Sequence, residues 1–159
     1  MHSGMTNKQS SAPQQLVTFK TGDYSFGVNV LEVQEVLKHQ QMTAVPLAPA
    51  EVKGLINLRG HIVTAIGMRE RLHLGNPSGD IEEMNLIVSL RDGAASLVVD
   101  SVGDVITLDP ERYRPKPSSL TSPLKEMVAG VYQLERGLLL HIDPEIACKL
   151  LEEEEESHA

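Results

Sequence analysis

Short stretches of alternating apolar and polar residues recur along this chain. Leu16-Val17-Thr18-Phe19 is followed by Thr21-Gly22-Asp23 and then by Tyr24-Ser25-Phe26-Gly27-Val28, which alternates with a period of two. A glycine-bearing turn between two such runs predicts a β-hairpin. Residues 86–90 and 94–99 flank Arg91-Asp92-Gly93, and residues 131–134 and 138–142 flank Glu135-Arg136-Gly137, predicting two more hairpins. Residues 62–66 and 102–108 read as further strands. Many short strands with turns at regular spacing point to a barrel or sandwich.

The pattern predicts few helices. Asn29 can cap a helix over residues 30–38, with Glu32 at the third position and Val30, Val33 and Leu37 on one face. Asp143-Pro144-Glu145 is a second start signal, a cap followed by proline and a carboxylate near the positive end of the helix dipole. Ile146, Ala147, Leu150 and Leu151 would form that helix's apolar stripe. Asp109-Pro110-Glu111-Arg112 predicts one helical turn, after which Arg114-Pro115-Lys116-Pro117 reads as an extended connector. Residues 1–14, rich in Ser, Gln and Asn, read as a flexible tail, and the glutamate run at 152–156 as a solvated acidic end.

Composition narrows the functional classes. The 159 residues suit one domain with a real core; with 3% aromatics and no Trp, that core rests on aliphatic side chains. A net charge of -8 argues against nucleic acid and against an anionic membrane surface. No apolar run nears the ~20 residues of a membrane span, and the N-terminus lacks the apolar centre of a signal peptide. The single Cys148 excludes an internal disulfide and fits a reducing compartment, so a soluble cytoplasmic protein is expected.

Candidate chemistry is sparse. The six histidines never fall at metal-pair spacing, and neither a phosphate-binding glycine loop nor a Gly-x-Ser-x-Gly elbow is present. Cys148 reads as a packed thiol, Asp100 and Asp104 as strand-edge residues that bond backbone amides, and His141 as an exposed or hydrogen-bonded strand residue. No cofactor and no metal are expected. The chain reads as a binding module rather than an enzyme.

One stretch stands apart: Val52-Lys53-Gly54-Leu55-Ile56-Asn57-Leu58-Arg59-Gly60, an apolar run with a glycine at either side and an arginine at its end. Together with Tyr24-Ser25-Phe26-Gly27-Val28, Val33-Gln34-Glu35-Val36 and Leu97-Val98-Val99-Asp100-Ser101-Val102-Gly103-Asp104-Val105, it resembles the CheW-like coupling proteins of bacterial chemotaxis, in the family's order from Leu16 to Leu151. The resemblance implies an all-β fold, two SH3-like five-stranded β-barrel subdomains around a shared hydrophobic core, with short helices including a C-terminal one, over residues 15–151. It implies a non-catalytic adaptor linking the cytoplasmic tip of a methyl-accepting chemoreceptor to the regulatory domain of the histidine kinase CheA, recruited to membrane-associated receptor arrays. A CheW-like scaffold in a pilus-motility or second-messenger circuit is the alternative, and a small β-barrel enzyme a more distant one. The length leaves no room for a fused receiver domain.

By position in the resemblance, Glu35 and Arg59 pair near a receptor-binding groove walled by Val33, Leu86, Val102 and Val105, and a kinase-binding face gathers Met42, Thr43, Lys53 and Gly54. Gly54 and Gly60 are expected to turn the backbone on either side of Leu55, Ile56 and Leu58, which enter the core. Thr64-Ala65-Ile66-Gly67-Met68-Arg69 departs from the family's Pro-Val-Ile-Asp-Leu-Arg, which leaves the identity of the partner homologue open.

Overall fold

A computed structural model describes residues 12–149. Eleven strands form two sheets. Sheet A has the order β8-β1-β2-β11-β10-β9, from strands Ser101–Leu108, Gln14–Thr21, Tyr24–Asn29, Gly137–Ile142, Val128–Leu134 and Tyr113–Arg114. Sheet B has the order β3-β6-β7-β5-β4, from Val33–Leu37, Met84–Leu90, Gly93–Val99, His61–Gly67 and Val52–Leu58. The three expected hairpins form as β1–β2, β6–β7 and β10–β11. Two parallel pairings, β2 with β11 and β5 with β7, join elements distant in sequence.

Successive side chains point to opposite faces of a strand, and central strands such as β6 and β7 bury residues on both. Leu16, Leu108, Tyr132 and Leu139 fill sheet A's own interior, and Ile56, Val63, Ala65 and Val98 that of sheet B. The opposite faces meet in one large core, where Val17, Phe19, Phe26 and Val28 from sheet A pack with Ile66, Leu86, Val88, Leu97 and Val99 from sheet B. Phe19 and Phe26 stack at 5.2 Å between ring centroids. Burying each such side chain contributes about 1.5–3 kcal/mol, so the shared core is the principal cement between the barrels. Asn85 and Ser96 are buried inside sheet B but satisfied: Ser96 Oγ donates to Asn85 Oδ1 at 2.8 Å, and Asn85 Nδ2 donates to the Lys38 carbonyl at 3.2 Å.

The short helices are α1 (Met68–Arg71), α2 (Leu124–Met127) and α3 (Pro144–Ala147). α3 begins as expected, with Asp143 accepting from the Glu145 amide; Ile146 and Ala147 pack inward, while Leu150 and Leu151 lie outside the described residues. The expected turn after Asp109 is a 3-10 helix at Pro110–Arg112. It carries the chain from β8 at one edge of sheet A to β9 at the other, which rounds the sheet into a barrel.

The expected helix over residues 30–38 is not there. Asn29 does cap, accepting from the Leu31 amide at 2.9 Å, but the helix it starts is 3-10 and ends at Glu32; Val33–Leu37 is strand β3. β-branched Val33 and Val36 favour a pleat, and β6 offers a free ladder to pair with. Glu32 gains no reciprocal capping role. Its carboxyl is pushed above the usual range by burial and by the nearby negative charges of Asp143 and Glu145.

Candidate functional site

The nine-residue stretch that stood apart is β4 and its turn. Leu58 pairs with His61, so Arg59-Gly60 is a two-residue hairpin loop with φ of 51° and 88°. Positive φ at both central positions marks a type I′ turn, where Asn-Gly or Asp-Gly is usual. Arg59 therefore occupies a conformation that costs an ordinary side chain roughly 1 kcal/mol. The turn is held by Asn57 Oδ1, which accepts from the Gly60 amide at 2.9 Å.

That conformation aims the guanidinium across the barrel seam. Arg59 Nη1 and Nη2 donate to both Glu35 carboxylate oxygens at 2.8 Å. Glu35 stands on β3 and Arg59 follows β4, and these are the two edge strands of sheet B. The pair therefore bridges a gap that no backbone ladder spans at this end. At the other end, Thr43 and Leu55 exchange backbone hydrogen bonds of 2.9 and 2.8 Å. Arg59's side chain is 70% exposed and Glu35's 27%, so the ion pair itself contributes about 0–1 kcal/mol. Its geometry is worth more than its energy.

The candidate groove residues fall into two groups. A β-bulge between Val33 and Glu35 reverses the alternation, so that Val33 faces Val88 and the shared core while Glu35 lies with Ile87 on the opposite face. Val33 and Val102 both pack against the shared core, from sheet B's edge strand β3 and sheet A's edge strand β8. Val105, in register with Val17 on β1, is 51% exposed on β8. Glu35 and Arg59 instead border a cleft at the mouth of the first barrel, with Leu58, Ile62, Val63 and Ile87. Leu86 requires a correction: it is 0% exposed inside the shared core and presents no surface to a partner.

Met42, Thr43, Lys53 and Gly54 do come together. Thr43 bridges to Leu55, and a Cβ on Gly54 would stand 2.8 Å from the Thr43 carbonyl oxygen and 3.0 Å from Met42 Cβ. Gly54 is thus no turn, as its place in the sequence suggests, but a mid-strand glycine with φ of 152° that lets two backbones close on each other. Of the apolar residues between the glycines, Ile56 alone is fully buried; Leu55 and Leu58 are half-buried. Lys53 Nζ reaches Glu70 at 3.2 Å and Glu83 at 3.7 Å.

Asp100 bonds a backbone amide as its place at a strand edge suggests, but its arginine partner carries no mark in the sequence. Asp100, where the chain crosses from β7 to β8, accepts from Arg69 Nε at 2.9 Å, Arg69 Nη2 at 2.8 Å and the Gly22 amide at 2.8 Å. Arg69 lies on α1, beside sheet B, and Gly22 in the β1–β2 turn of sheet A, so this bond set clamps the two barrels together. Both side chains are nearly buried, at 13% for Arg69 and 11% for Asp100. Burial raises the Asp100 pKa, but the hydrogen bonds from Arg69 and Gly22 and the arginine's charge outweigh it, leaving the carboxyl below its ordinary value. Arg69 is correspondingly held above its own by its bond to Asp100.

His141 is half-buried against Tyr113 and Tyr132, and burial pushes its pKa down against the opposing charge of Asp143. Burial, with the nearby Glu145 charge, pushes the Cys148 thiol up to about 12. No group of three or more His, Cys, Asp or Glu among the described residues could hold a metal ion. No helix among them is long and apolar enough to cross a membrane.

Two small barrels sharing a core and joined through a nearly buried ion pair define a scaffold architecture. The CheW-like domain family matches residues 15–152, and the chain belongs to it. It is 32% identical over 142 residues to the chemotaxis protein CheW of Klebsiella aerogenes, covering 89% of this chain and 84% of that one. It is 31% identical to the chemotaxis protein CheW of Treponema pallidum, covering 81% and 78%. The crystal structure of the scaffolding protein TtCheW from Thermoanaerobacter tengcongensis superposes with a TM-score of 0.79 at 26% identity, over 88% of this chain and 95% of that one. The fold is the expected one, mostly β with few short helices, with one sheet of five strands and one of six. CheW-like proteins form a non-catalytic coupling family.

Proposed function

We propose that this chain is a cytoplasmic coupling protein that binds the cytoplasmic tip of a methyl-accepting chemoreceptor and the regulatory domain of the histidine kinase CheA, and so joins receptor arrays at the membrane to kinase output. The receptor half rests on apolar Val33 and Val102, which pack on the shared core from edge strands β3 and β8, and on half-exposed Val105 of β8; we read the three as the walls of one groove. An α-helical receptor tip docks by burying hydrophobes in such a groove. Glu35 and Arg59 act on it indirectly, by holding β3 across the barrel seam and with it Val33. The kinase face is assigned to Met42, Thr43 and Lys53; Gly54, which the sequence places with them, is buried and supports that face from beneath through its close approach to Thr43 and Met42. The protein acts without cofactor, metal or chemistry of its own.

The test is binding of a receptor-tip fragment and, separately, of the kinase regulatory domain. Val105→Asp places a charge in the groove and is expected to weaken receptor binding more than tenfold, with kinase binding within twofold of wild type. Arg59→Glu is expected to weaken receptor binding less, by releasing β3. Wild-type protein that binds neither partner refutes the reading, and a Val105→Asp variant with undiminished receptor binding refutes the groove assignment.

A further inference from the structure

Leu47 combines two features that a folded chain normally avoids. It is fully exposed, and its backbone is left-handed, with φ of 64°. The Ala48 amide donates to the Val45 carbonyl at 3.3 Å, which makes Val45-Pro46-Leu47-Ala48 a β-turn with proline at its second position and positive φ at its third. That is a type II turn, whose third position belongs to glycine or asparagine. A leucine there strains the backbone and leaves its side chain in water. Neighbouring Val45 is also exposed. Nothing within the fold requires either choice, because glycine would form the same turn without strain.

The place of this turn says what it faces. It caps a loop whose stem is Met42-Thr43 on one side and Lys53-Gly54 on the other, pinched shut by the Thr43–Leu55 bridge and by the close approach at Gly54. The Val52 amide donates to the Pro49 carbonyl at 3.0 Å and stiffens the returning arm. Leu47 is therefore a rigid apolar tip on a braced stem, and such anchors lose little conformational freedom on binding. The protein's net charge of -8 disfavours an anionic lipid surface as its target.

We propose that Leu47 is the anchor of the kinase-facing surface, inserting into an apolar pocket of the regulatory domain, with Val45 packing at the pocket's edge. This deepens the reading given above and rests on it. The experiment compares wild type, Leu47→Asn and Leu47→Gly, since both replacements tolerate the turn's backbone. Titration calorimetry follows binding of the kinase regulatory domain, with receptor-tip binding measured alongside. Both variants are expected to melt at or above the wild-type temperature, to bind the kinase domain at least tenfold more weakly, and to bind the receptor tip unchanged. If the wild type does not bind the kinase domain, the coupling function itself fails. If it binds and Leu47→Asn binds within twofold of it, the anchor alone is refuted. The anchor is equally refuted if Leu47→Asn leaves kinase binding intact but dissociates a self-dimer that wild type forms in sedimentation, or loses a binding to phosphatidylglycerol vesicles that wild type shows, since the turn then serves another partner.

Discussion

Asp100→Ala tests how the two barrels are held in register. The substitution removes an acceptor of three hydrogen bonds, two from Arg69 and one from the Gly22 amide. Arg69 is left almost buried, keeping only its 3.2 Å bond to the Gly75 carbonyl. Stranding one member of a buried pair costs about 3–5 kcal/mol. The exposed Gly22 amide can turn to water and Arg69 retains one partner, which brings the expected loss to about 3 kcal/mol, near the lower end. For a chain of this size that lowers Tm by roughly 6–12 °C, a large share of the ~5–15 kcal/mol that separates folded from unfolded domains. Denaturant unfolding of Asp100→Ala, Arg69→Ala and the double variant measures it. The two residues act on one bond set, so the double variant is expected to lose at least ~1 kcal/mol less than the sum of the singles. Asp100→Ala costing under ~1 kcal/mol, or additive singles, refutes the clamp. The pH dependence gives a second check. The folded-state pKa of Asp100 lies below its unfolded value near 4, so its stabilisation is complete above that value and is lost as pH falls through the folded pKa. The gap in stability between wild type and Asp100→Asn should hold steady from pH 7 to about 5 and close in stronger acid.

Gly54→Ala sets a Cβ 2.8 Å from the Thr43 carbonyl oxygen and strains a φ of 152°; it is expected to cost about 1–3 kcal/mol and to weaken kinase-domain binding, read by chemical denaturation and by titration. Leu86→Ala opens a cavity in the shared core and is expected to cost about 2–5 kcal/mol, with receptor affinity per folded molecule little changed; direct loss of receptor contact without destabilisation would restore Leu86 to the groove surface. Cys148, with its thiol pushed up to about 12 by burial, is expected to react with a thiol reagent at pH 8 far more slowly than the same residue in denaturant; equal rates would mean that the C-terminal segment around α3 does not cover it.

The three hairpins and the Asp143 and Asp109 caps can be read from the chain, because turn chemistry and period-two alternation are local properties. The weight of the Arg59-Gly60 turn is also legible, since an arginine beside a glycine at the end of an apolar run has few ordinary uses. Residues 30–38 misled for a physical reason: a capped start and three apolar residues at helical spacing suit a helix, and only the presence of β6 as a partner turns Val33–Leu37 into a strand. Sequence periodicity gave no warning of the bulge that sends Val33 and Glu35 to opposite faces, so the groove valines and the Glu35–Arg59 pair became neighbours in chain order but not in space. Leu86 and Val105 look alike in an alternating pattern; an inner strand buried on both faces and an edge strand make one core and the other surface. The chain by itself determined most of the strands and the hairpin turns between them, because turn chemistry and alternation are local. Tertiary structure alone decided the parallel β2–β11 and β5–β7 pairings, the close approach that requires Gly54, and the meeting of Arg69 with Asp100 and Gly22, since each depends on segments that only packing brings together.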